Sequence, residues 1–164
     1  MIRALRFASL ICCVCCSSIA SAAGLDALFA MQMPDAKGRT VAFSQYRGKP
    51  LMLHFWAPWC APCQADRLDL SAVQSAYAAR GLQVLSIAVT HDLDSLGDAA
   101  KACQPGVPLV YDKKKAIWLM QSLGHVSAEL PFTLLLDGQG GIRLRQSGKL
   151  LPAEVDAAMK ALPR

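Results

Sequence analysis

The nine residues Phe55-Trp56-Ala57-Pro58-Trp59-Cys60-Ala61-Pro62-Cys63 constrain this chain more than any other stretch. Two cysteines stand two residues apart. An apolar run, Leu51 to Ala57, leads into them, and a helical pattern from Ala65 to Ala79 leads away. That layout places Cys60 just past a buried strand, at the first turn of a helix. A helix N-terminus carries unpaired N–H groups and partial positive charge. Both favour thiolate over thiol, so Cys60 is expected to be the attacking sulfur. Cys63 lies one helical turn further in, close enough to close a disulfide with Cys60. It is expected to be more buried and to act as the resolving thiol. Zinc sites also use paired cysteines, but the flanking tryptophans, the strand before and the helix after point to redox chemistry.

The segment Trp56-Ala57-Pro58-Trp59-Cys60-Ala61-Pro62-Cys63 resembles the active-site segment of the thioredoxin superfamily. It is most similar to the exported branch typified by TlpA and ResA, and the resemblance runs from about residue 29 to residue 162. It implies an α/β thioredoxin-like fold: a central mixed sheet flanked by helices, with an N-terminal β-hairpin and a central insertion. It implies thiol–disulfide exchange with protein substrates, no cofactor and a monomer. The direction it implies is reduction, as for relatives that keep haem-attachment or copper-site cysteines reduced, with a membrane electron donor of the DsbD/CcdA type. A disulfide-donating oxidase would keep the same residues. A Cu(I)-binding metallochaperone is the rival from another class, since two thiolates can hold a soft metal. After the leader the sequence holds no second Cys-X-X-Cys and no His pair at ligand spacing, so no metal is expected.

The first 22 residues read as an export leader. Arg3 and Arg6 give a positive start, Phe7 to Ile19 an apolar core, and Ala20-Ser21-Ala22 a cleavage signal. The mature domain is therefore expected to span 23–164 and to work in the periplasm; an uncleaved membrane anchor is the alternative. Four of the seven cysteines (Cys12, Cys13, Cys15, Cys16) fall in the leader, leaving Cys60, Cys63 and Cys103. One pair with one left over is not a multi-bridge scaffold. Removing Arg3 and Arg6 leaves 15 Lys and Arg against 12 Asp and Glu, a net charge of +3. That charge gives no reason to expect a nucleic-acid partner.

Along the chain, Phe29, Met31 and Met33 alternate as in a short strand, and Val41 and Phe43 suggest its partner. Leu51–Ala57 and Gln83–Val89 read as buried parallel strands joined by a helix. Leu93, Leu96, Ala100 and Cys103 fall at helical spacing, with Cys103 as a structural thiol on the apolar face. Lys113-Lys114-Lys115 reads as a solvated turn, followed by a helical stripe of Ala116, Leu119, Met120 and Leu123. Leu134–Asp137, a glycine-rich turn and Ile142–Gln146 form a second hairpin, and Pro152 opens a closing helix.

Eight further positions carry expected roles. Leu130-Pro131 resembles the family's cis-proline loop, which faces the disulfide and offers backbone groups to a bound polypeptide. With Trp59, Ala61 and Pro62 it would form the substrate groove. Asp66, three places after Cys63, matches the acidic residue of the ResA-like branch and would accept the Cys63 proton; the structural alternative is an acid favoured by the helix dipole. His54 departs from the family, where a buried Asp or Asn stands. It is either a second proton acceptor or a satisfied core histidine. Trp56 and Trp59 form wall and lid. His91, Asp92 and His125 read as ordinary loop residues.

Overall fold

The computed structural model describes residues 22–97 and 106–162, with the side chains at 22 and 64–69 outside the description. The predicted cleavage signal and Cys103 lie outside the described residues, apart from Ala22, where the first helix starts.

Five strands form the central sheet: three apolar ones buried inside it and a more exposed one at each edge. These are β3 (Leu51–Trp56), β4 (Gln83–Ala88), β5 (Leu109–Tyr111), β6 (Phe132–Leu136) and β7 (Ile142–Ser147), in the order β5-β4-β3-β6-β7. β3 pairs with β4 in parallel and β4 with β5 likewise, whereas β6 and β7 run antiparallel. The mixed sheet and its predicted strands agree. Every residue of β3 and β6 is buried. The edge strand β7 instead alternates half-buried and exposed residues, as a strand with one wet face does.

The pleat sends alternate side chains into two separate cores. On one face Leu53, Phe55, Leu85, Ile87 and Leu134 meet the first helix and the helix after β5. On the other, Met52, Val84 and Leu135 meet Leu70 and Val73 of α2 (Ala61–Tyr77) and Val155 and Met159 of the C-terminal helix (Pro152–Lys160). The result is three layers, with α2 crossing between the parallel strands β3 and β4.

Three local expectations are corrected. Phe29 does not begin a strand: Ala22–Ala30 is a helix, α1, with Leu28 fully buried. A Cβ on Gly24 would stand 2.8 Å from the Ser122 carbonyl oxygen, so glycine is what lets α1 approach the helix after β5 closely. The strand starts later, as β1 (Gln32–Pro34), paired antiparallel with β2 (Thr40–Ala42) in the expected hairpin. Phe43 lies beyond β2, in a 3-10 turn (Phe43–Tyr46). Lys113-Lys114-Lys115 is not a turn but the first turn of α3 (Lys113–Ser122), because the Asp112 side chain caps it by accepting from the Lys115 N–H at 2.9 Å. α4 is the closing helix Pro152–Lys160, with Pro152 at its start as expected.

Candidate active site

Cys60 is the N-cap of α2: its backbone is extended, and the helix begins at Ala61 with Pro62 in the first turn. Proline is tolerated there because the N–H it lacks has no intrahelical partner anyway. The Cys60 N–H donates to the Ala57 carbonyl at 3.1 Å, and the Cys63 N–H donates to the Cys60 carbonyl at 3.1 Å. These bonds fold the chain tightly enough for Cys60 and Cys63 to be disulfide-bonded, with their Cα atoms 5.3 Å apart. Cys63 is fully buried and Cys60 retains 6% exposure. The asymmetry expected of an attacking and a resolving sulfur is therefore present. Trp59 beside them is 75% exposed, an apolar ring standing in solvent next to the accessible sulfur.

Leu130–Pro131 is a cis peptide bond. Its position follows from register. His54 pairs with Thr133 and Phe55 with Phe132, so Pro131 falls opposite the last residue of β3. That is the sheet pole from which Ala57–Cys60 departs. Pro131 is buried, Leu130 is half-buried, and the Pro131 carbonyl accepts from the Gly148 N–H at 2.8 Å.

Beneath α2 the three central strands present a polar row in an apolar sheet. Thr133, His54 and Ser86 are neighbours in register, one pleat above the Leu135, Met52, Val84 row. His54 Nδ1 and Thr133 Oγ1 share a hydrogen bond of 3.0 Å, and Trp56 Nε1 donates to Ser86 Oγ at 2.8 Å. Trp56 is thus a fixed, fully buried wall. α2 runs back along β3 with Leu70 in the same cluster as Met52. Leu70 is about 10 Å along the helix from Cys63, and His54 is about 7 Å along the strand from Met52. His54 therefore sits below the first two turns of α2. It is fully buried, and its Nε2 has no hydrogen-bond partner among the described residues. Burial alone pushes its pKa down to about 4, so the imidazole is neutral at pH 7. Position 66 lies in the second turn of α2, but the Asp66 side chain lies outside the described residues.

His91 and Asp92 are exposed loop residues, as read from the sequence. Asp92 accepts from the Ser95 N–H at 2.7 Å. His125 is different. It is 8% exposed, its ring stacks on Phe132 with centroids 4.0 Å apart and planes 2° apart, and its Nε2 lies 2.9 Å from the Glu129 carbonyl. Sequence reasoning missed it because its partners are a backbone carbonyl and a ring seven residues away; no side-chain motif announces them.

A dithiol–disulfide pair at a helix N-terminus can exchange two electrons with another disulfide, without metal or cofactor. Chemistry of this kind on this sheet is that of a thiol–disulfide oxidoreductase with the thioredoxin fold. The profile of the AhpC/TSA family matches residues 25–145, and the chain belongs to that family. Over 130 residues it is 25% identical to the thiol-disulfide oxidoreductase ResA of Geobacillus kaustophilus, covering 79% of this chain and 72% of that one. It is 33% identical over 130 residues to the thiol:disulfide interchange protein DsbE of Yersinia pestis, covering 74% of this chain and 62% of the relative. The fold matches that of a secreted Mycobacterium tuberculosis disulfide oxidoreductase homologous to E. coli DsbE, with a TM-score of 0.67 at 19% identity, over 84% of this chain and 99% of that one. The protein is a thiol–disulfide oxidoreductase of the ResA/DsbE type, with Cys60 and Cys63 as its cysteine pair.

Proposed function

We propose that the protein is an exported, periplasmic reductant of disulfides in other exported proteins. Apocytochrome c and copper-site cysteines are the substrate classes that the resemblance to the TlpA/ResA branch implies. The observation that carries the reading is the asymmetric pair: Cys60 touches solvent at the helix N-terminus, and Cys63 is buried behind it. Cys60 thiolate attacks one sulfur of a substrate disulfide and displaces the other as a thiolate. A mixed disulfide forms, held in a groove of Trp59, Ala61, Pro62, Leu130 and Pro131, where an extended substrate pairs with the backbone before Pro131. Cys63 thiolate then attacks Cys60 Sγ and expels the second substrate thiolate, leaving the substrate a dithiol and the enzyme a disulfide. Two electrons have moved, and a membrane dithiol donor of the DsbD/CcdA type must return them.

Cys63 must lose its proton in the second step. His54, beneath α2, is the first acceptor, through the Nε2 that has no partner among the described residues, and it holds the proton only transiently because burial disfavours the imidazolium. Asp66, in the second turn of the same helix, is the second acceptor. The leader is removed after Ala22 and the mature domain, from Ala23, acts as a monomer.

Trapping tests the scheme. A Cys63→Ser variant should accumulate mixed disulfides with exported proteins through Cys60, and Cys60→Ser should accumulate none while remaining folded. Equal trapping by both variants would refute the assignment of Cys60 as nucleophile.

A further inference from the structure

We propose that His125 is a positioning residue for the redox reaction: it sets the backbone edge at Glu129–Pro131 that a polypeptide disulfide must meet. The proposal rests on the reading of Cys60 and the Pro131 loop given above, and deepens it.

The segment between α3 and β6 has to turn sharply with few apolar anchors. Val126 is 76% exposed, and Ser127 and Glu129 are exposed as well. Ala128 holds a φ of +52°, a left-handed conformation that is strained for a residue with a Cβ and persists only where the surroundings impose it. His125 supplies that imposition at four points. Its N–H donates to the Met120 carbonyl at 2.8 Å, which ties it to the end of α3. Its carbonyl accepts the Ala128 N–H at 3.2 Å, closing the turn that ends at the left-handed residue. Its Nε2 faces the Glu129 carbonyl at 2.9 Å. A carbonyl only accepts, so this nitrogen carries the proton and donates. Its ring lies flat on Phe132, the residue that follows Pro131. The imidazole therefore bridges the two sides of Leu130–Pro131, bonding the residue before the pair and stacking on the residue after it.

Phe132 is itself anchored. It pairs in register with Phe55 of β3, with ring centroids 5.9 Å apart, and the Arg145 guanidinium lies 6.0 Å from its centroid. The same Arg145 donates to the Leu123 carbonyl at 2.7 Å. The stack thus refers the position of Glu129 and Leu130 to β3, the strand that leads into the cysteine turn. A bond to the Glu129 carbonyl has a second consequence. That oxygen already has one partner, directed inward, which orients the peptide plane and the groups that remain for an extended substrate. A small disulfide reagent needs only to reach Cys60, which keeps 6% exposure, and not this edge.

The test compares two probes on three variants. Reduced wild type, His125→Ala, His125→Phe and His125→Gln are assayed for reduction of insulin, a polypeptide disulfide, and for reaction with 5,5′-dithiobis(2-nitrobenzoic acid), a small one. His125→Ala should raise KM for insulin about tenfold, the order of one lost hydrogen bond and its ordering, with the small-disulfide rate within about twofold of wild type. His125→Phe, which keeps the stack and loses the donor, should raise KM by about threefold, and His125→Gln, which restores a donor, should recover part of the affinity. The phenylalanine variant keeps the test open should the alanine variant fail to fold. Unchanged insulin KM in His125→Phe, or equal losses toward both probes, would overturn the proposal while leaving Cys60 as nucleophile in place. A wild-type protein inert toward both probes would instead overturn the two readings together.

Discussion

At the scale of single residues, the site is defined by what burial does to each group. His54 is the clearest case. Its pKa falls from the usual imidazole value of 6.5 to about 4 in the folded chain, because the charged form would lose its water. Between those two values the unfolded chain binds a proton that the folded chain does not. The stability His54 contributes is therefore complete above pH 6.5 and is lost as pH falls through 4, by about 3 kcal/mol in all. Urea unfolding of His54→Gln should show a flatter acid limb than wild type between pH 6.5 and 4; an unchanged limb would refute a buried neutral imidazole. Asp137 makes a second prediction. Its Oδ1 accepts the Gln139 and Gly141 N–H groups and its Oδ2 pairs with Arg143 at 2.6 Å, on a side chain 3% exposed. Asp137→Ala strands those donors in the β6–β7 turn and should cost about 2–4 kcal/mol in a denaturant midpoint experiment.

At the scale of elements, the chain shows which signals travel through sequence. Apolar runs such as Leu51–Trp56 and Leu134–Leu136 were legible as buried strands because burial on both faces leaves no polar alternation to confuse. The Cys60–Cys63 site was legible for a related reason: its strand, turn and helix are contiguous, so local order reports tertiary placement. α1 was not legible. Phe29, Met31 and Met33 alternate by chance with the strand period, and the helix is fixed by contacts far away in sequence, Gly24 against Ser122 and Arg47 over the Phe29 ring at 4.6 Å. The lysine run misled for a physical reason too, since three cations at a helix N-terminus oppose the macrodipole. Asp112 overrides them. Asp112→Ala should thus destabilise the protein by about 1 kcal/mol, as lost caps do, and should fray α3, visible as faster amide exchange at Lys115. In the loop beyond α3, Ala128→Gly should be neutral or stabilising by up to about 1 kcal/mol, since glycine meets no Cβ penalty at a φ of +52°. A marked loss there would mean that the left-handed turn depends on the alanine methyl.

At the scale of the whole molecule, two cores on either face of one sheet hold the cysteine pair and the cis-proline at the same pole. Among the described residues no helix is long and apolar enough to cross a membrane. The direction of electron flow belongs to this scale, because no single contact encodes it. Potential depends on the balance of dithiol against disulfide stability over the entire site. The direct measurement is the reduction potential of the Cys60–Cys63 couple, by equilibrating the protein from Ala23 onward in defined thiol/disulfide buffers. A value near or below roughly −250 mV, close to thioredoxin's, is the predicted result and marks a reductant; a value of roughly −120 to −180 mV, in the range of oxidising and isomerising proteins, would contradict it.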